Sequence, residues 1–169
     1  MSIVIGLSQG LQPIVSFNYG ARKYERVKKA YRTAITYGVI VSAIALIAFQ
    51  VFPRQIVSIF GSGSEAYYDF AVKYFRIFLL FTFLNCFQPI SSNFFTAIGK
   101  PKKGIFLSLT RQILFLLPLI VILPIFMGID GIMYAGPIAD FIAGIVAITM
   151  IYFEFKYIGR DRRVEKKVV

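Results

Sequence analysis

The apolar positions of this chain fall in long continuous runs rather than in alternation. Thr33–Phe52 (20 residues), Ile77–Ile98 (22) and Gln112–Ile129 (18) contain no charged side chain. Gly131–Phe153 runs for 23 residues with a single charge, Asp140. About 20 residues at ~1.5 Å rise cross a ~30 Å hydrocarbon layer, so each run predicts a membrane-spanning helix. None has the period-two pattern that a sheet would need. A shorter stretch, Ile3–Tyr19, holds Gln9, Gln12 and Pro13. A secretory leader carries basic residues ahead of its apolar run, whereas the first charge here is Arg22. This stretch is therefore expected to be the end of a further spanning helix whose beginning is missing.

The predicted fold is an all-α membrane protein with about five transmembrane helices. The spans are expected at 3–19, 33–52, 77–98, 105–129 and 131–153, so that 1–155 is transmembrane and 156–169 a basic tail. Local signals place the joints. Gly20 suits a left-handed cap for the first helix; the second is expected to begin near Lys23 and to stop at Pro53. Ser62-Gly63-Ser64-Glu65 has capping-box spacing and predicts a helix start that continues into the third span. Gly99–Gly104 reads as a tight basic turn, and Pro118 and Pro124 are expected to bend the fourth span.

Composition agrees with that class. Hydrophobic residues make up 57% and mean hydropathy is +0.71, against about 45–50% apolar in soluble domains. The net charge of +11 raises nucleic acid as a partner, but its placement argues for a lipid bilayer instead. Arg22, Lys23, Arg26, Lys28, Lys29 and Arg32 follow the first span, and Lys100, Lys102, Lys103 and Arg111 follow the third. Lys156, Arg160, Arg162, Arg163, Lys166 and Lys167 form the tail, leaving only Arg54, Lys73 and Arg76 for the other two connections. Basic residues favour the cytoplasmic side, so both basic loops and the C-terminus are expected to be cytoplasmic in a multi-pass cell-membrane protein. No nucleic-acid role is expected. There is one cysteine, Cys86, and no histidine. That removes most nucleophile-plus-base and metal-ligand arrangements, so no enzyme, no cofactor and no metal site is expected.

Two features carry candidate chemistry. Gln9-x-x-Gln12-Pro13-Ile14-x-Ser16 recurs 76 residues later as Asn85-x-x-Gln88-Pro89-Ile90-x-Ser92. The spacing puts each amide, amide and hydroxyl set on one helix face. Two readings stay open: the stripes line a shared polar cavity, or each bonds to a neighbouring helix. Asp140 lies nine residues into the last span, ~13 Å deep by helical rise. Gly136, Pro137, Ala143 and Gly144 share its face, so it is expected to point into the bundle. An acid there is a functional candidate, with a protonated or hydrogen-bonded structural acid that holds two helices together as the alternative.

The run Gly6-Leu7-Ser8-Gln9-Gly10-Leu11-Gln12-Pro13-Ile14-Val15-Ser16-Phe17-Asn18-Tyr19-Gly20-Ala21 resembles the MATE (multidrug and toxic compound extrusion) family at the end of its eighth helix. Ala97-Ile98-Gly99-Lys100-Pro101 is similar to the turn after helix ten, and Gly131–Asp140 to the opening of helix twelve. The resemblance implies a C-terminal portion, helices eight to twelve, of a twelve-helix, two-lobe transporter. It implies export of drug-like small organic compounds in exchange for H+ or Na+. The missing N-terminal helices would then be partners, and the chain alone would be inactive. Sodium-coupled members of the family often have a carboxylate in helix ten, where this sequence offers only Asn85, Gln88 and Asn93. Asp140 is then the one embedded acid away from the interfaces, since Glu154 falls at the cytoplasmic edge. The competing readings are a lipid-linked sugar flippase of the same superfamily and a small non-transporting membrane subunit.

Overall fold

The computed structural model describes residues 2–60 and 64–158. Among them the chain forms eight α-helices: α1 Ser2–Gly20, α2 Tyr24–Val51, α3 Pro53–Phe60, α4 Glu65–Phe78, α5 Phe87–Ala97, α6 Pro101–Leu109, α7 Leu117–Met127 and α8 Ile129–Tyr157. Thr110–Leu116, between α6 and α7, is π-helical, so that Pro101–Met127 is one continuous rod. The fold is an all-α membrane architecture. Tyr24–Val51, Pro101–Met127 and Asp130–Tyr157 are each long and apolar enough to cross a bilayer as single helices. The core is built where α1, α2, α5 and α8 meet, from Leu11, Val15, Val27, Ile90, Phe94, Phe95 and Ile151. Tyr31 packs edge-on against Phe94 and Phe155, with centroids 5.0 and 5.3 Å apart, and its hydroxyl bonds to Ser91 at 2.7 Å. At the other extreme, α7 has no buried residue and exposes Val121, Ile125 and Phe126. An apolar helix with no fully buried residue and one broadly exposed face suits a position at the lipid boundary.

Several joints differ from expectation. Gly20 stays helical, and the left-handed residue is Arg22 (φ 57°). The Lys23 N–H bonds to the Asn18 carbonyl at 2.8 Å and the Arg22 N–H to that of Tyr19 at 2.9 Å. Those two bonds form a Schellman closure whose geometry puts the reversal two residues past the glycine. The expected third span is divided. α4 ends at Phe78, a short 3-10 turn occupies Thr82–Leu84, and α5 begins at Phe87. Pro89 then lies in the first turn of α5, where its missing N–H has no helical acceptor to lose. The start of α4 agrees with expectation in part: Ser64 is its N-cap and accepts from the Tyr67 N–H at 3.4 Å. Ser62 and Gly63, and the basic tail beyond residue 158, lie outside the described residues.

The two ends of the bundle differ in their ion pairs. At the end carrying α3 and the start of α4, Arg54 pairs with Asp69 at 2.8 Å, and Lys73 with Asp130 at 3.0 Å. At the basic end, Lys100 and Lys103 of the α5–α6 turn reach Glu154 of α8 at 2.5 and 2.8 Å. Glu154 is only 3% exposed, so this carboxylate latches the turn onto the last helix. Lys103 also sits 5.6 Å over the Phe95 ring.

Candidate functional site

Asp140 is 4% exposed on α8. Gly136, Pro137, Ala143 and Gly144 on the same face are buried, while Phe141 and Ile145 are exposed. Small residues let neighbouring elements approach closely: Gly136 abuts Phe78 of α4 and Gly144 abuts Leu84 of the 3-10 turn, while α8 also packs against the π-helical stretch of the preceding rod. There Arg111 donates from Nε to Asp140 Oδ1 at 2.5 Å. Arg111 is ten residues past Pro101, and Asp140 eleven past Ile129. At ~1.5 Å per residue both lie ~15 Å along their helices, half of a ~30 Å hydrocarbon layer. By its charge alone Arg111 groups with the basic loop after the third span. Measuring its depth from Pro101, where the helix begins, is the signal that places it beside Asp140.

The π-helical stretch has a local cause. Pro118 has no N–H to donate, and its ring crowds the carbonyl four residues back. The rod widens just before it, so that the Leu117 N–H bonds to the Gln112 carbonyl, five residues back. Such segments are rare and recur at functional sites. Here the widened turn carries Arg111.

The two polar stripes face different neighbours. Gln12 donates to Asn93 Oδ1 of α5 at 3.0 Å, and Asn93 donates to Ser8 at 2.7 Å. Ser16 donates to the Ala97 carbonyl at 3.0 Å. The second stripe turns to α6, where Gln88 donates to the Leu107 and Ser108 carbonyls, both at 3.2 Å. Ser92 lies 2.8 Å from both the Gly104 carbonyl and the Ser108 hydroxyl. A Cβ at Gly104 would sit 2.7 Å from the Ser92 carbonyl oxygen, so glycine is what lets α6 come this close. Gln9 is exposed, and Asn85 is half-buried just ahead of α5. Gln12 and Ser16 thus join α1 to α5, Gln88 and Ser92 join α5 to α6, and among the described residues neither stripe hydrogen-bonds to Asp140. Asn93 and Ser8 complete the α1–α5 network and Arg111 completes the Asp140 pair; stripe spacing points to none of the three.

A buried acid paired with a partly buried base, halfway along two helices, can exchange partners. A proton or a cation taken up by Asp140 would compete with Arg111 for the same oxygen, and a released guanidinium would be a mid-membrane anion site.

Comparison with known proteins identifies the family. The MatE family model matches residues 1–122. A FAD transporter of Shewanella oneidensis is 23% identical over 149 residues, covering 85% of this chain and 31% of that protein. Multidrug export protein MepA of Staphylococcus saprophyticus is 21% identical, covering 89% and 33%. The chain therefore spans about a third of the length of the curated relatives it matches. Among solved structures, an outward-facing multidrug resistance MATE family transporter matches 93% of this chain and 36% of its own, with TM-score 0.86 and 19% identity. Its inward-facing counterpart gives TM-score 0.85 at 18% identity, covering 93% and 37%. The MATE multidrug transporter DinF-BH, solved in complex with R6G, is 33% identical with TM-score 0.82, covering 88% and 33%. The chain belongs to the MatE family, a family of membrane transporters.

Proposed function

We propose that this chain is the C-terminal portion, helices eight to twelve, of a secondary antiporter. The antiporter exports drug-like small organic compounds in exchange for H+ or Na+ by alternating access. The observation that carries this reading is the near-equal match of the helix bundle to outward- and inward-facing MATE transporters, with TM-scores of 0.86 and 0.85. A unit that fits both states is suited to rock as one body against an opposite lobe. The chain forms only part of such a machine, so cells expressing residues 1–169 by themselves should extrude no dye. The basic loops and C-terminus face the cytoplasm in this reading, supported by the charge asymmetry.

Within that unit Asp140 is the coupling acid and Arg111 its resting partner. The test is a reconstituted full transporter under an imposed pH or sodium gradient, with Arg111→Gln and Asp140→Asn combined so that no charge is left unpaired. The double variant should fold and lose gradient-driven export. Full export would refute the coupling role, and export by residues 1–169 alone would refute the two-lobe reading.

A further inference from the structure

A groove of about 680 Å³ runs between α1 and α2. Its floor on α1 includes Gly6, Gly10 and Ile14, and a Cβ added at either glycine would meet nothing within 4 Å. From Gly6 to Asn18 the groove follows twelve residues of α1, ~18 Å by helical rise, slightly more than half of a ~30 Å hydrocarbon layer. At its basic end it is lined by Arg26 and Lys29, both exposed. Lys28 beside them pairs with Glu25 at 3.3 Å, whereas Arg26 and Lys29 have no carboxylate partner among the described residues.

We infer that this groove is a binding site for an anionic phospholipid, one acyl chain lying along Gly6, Gly10 and Ile14 and the headgroup phosphate on Arg26 and Lys29. The charge at one end and the length of one leaflet together select this occupant. A cationic organic compound would be repelled by the two basic side chains, and a further apolar helix would bring them no counter-charge. Basic pockets between spanning helices recognise anionic headgroups through this combination.

The chain contains no tryptophan, so Ile14→Trp supplies a single fluorescent reporter inside the groove. The full chain carrying it is placed in phosphatidylcholine vesicles and titrated with brominated phosphatidylglycerol or brominated phosphatidylcholine. Phosphatidylglycerol should quench at a mole fraction about thirtyfold lower, the ratio expected from two basic residues at about 1 kcal/mol each. Arg26→Gln with Lys29→Gln should abolish that preference. Gly10→Leu, which places a side chain in open space on the groove floor, should weaken quenching by both lipids. Equal quenching by the two lipids would mean an unselective annular shell and would overturn the inference. Absence of quenching by either would mean that another helix or a second copy fills the groove, and would overturn it as well. No gradient enters the measurement, so failure of the lipid inference would leave the antiporter reading standing.

Discussion

Gln12 of α1 bonds to Asn93 of α5 at 3.0 Å, and not to Gln88, which occupies its place in the sequence repeat. The two copies of the repeat therefore do different jobs. One ties α5 to α1, and the other ties it to α6. α5 is short, at 11 residues, and is preceded by a break, so side-chain bonds on two flanks hold a helix that lacks continuity with its neighbour.

A double-mutant cycle of Gln12→Leu and Asn93→Leu should return a coupling of about 0.6 kcal/mol, the size of an average hydrogen bond between membrane helices. Unfolding in mixed micelles measures it. Leucine favours the bilayer, so insertion should be unaffected in all three variants. A coupling indistinguishable from zero would mean that the amides ignore each other in the membrane.

Removing one member of the mid-membrane ion pair leaves a buried charge uncompensated, at a cost of about 3–5 kcal/mol. Asp140→Leu and Arg111→Met should each lower the yield of folded protein. Together they should restore most of it, because two apolar side chains replace two charges. Thermal unfolding of the purified variants reads the effect, and a stable Asp140→Leu single variant would contradict the pairing.

Glu154→Gln removes the carboxylate that both Lys100 and Lys103 approach within 2.8 Å. The α5–α6 turn should then detach from α8 more often. Trypsin cleavage after Lys102 and Lys103 should become several-fold faster, with little change elsewhere. Unchanged cleavage would mean that the glycine and proline of the turn suffice to hold it.

Reporter fusions test the orientation. Fusions after Lys103 and at the C-terminus should register as cytoplasmic, and one near Ser64 as external, because only Arg54, Lys73 and Arg76 are basic on that side. An external C-terminus would reverse the assignment.

The class of fold was legible because a bilayer demands long uncharged runs, and those runs are present. The inward face of Asp140 was legible for a related reason: Gly136, Ala143 and Gly144 can only mark a face that another helix approaches. The partner was not. A basic residue near a loop looks the same in sequence whether it lies outside the membrane or one helix-half inside it, and only the helix start at Pro101 separates the two. The break between Phe78 and Phe87 was hidden because its residues, Leu79 to Cys86, are as apolar as a helix would be. The stripes showed which residues share a face, but side-chain spacing carries no information about which helix that face meets.

The π-helical stretch has a consequence for register. A helix bonded five residues back holds one residue more than an α-helix of the same number of turns, and each α-helical residue corresponds to about 100° of rotation. Deleting one residue between Ile113 and Leu116 would let the rod revert to α-helix and would turn Arg111 away from Asp140 by about that angle while α7 kept its seat on α8. The ion pair thus depends on a single surplus residue, and the phase of the whole rod is set by the place where that residue is stored.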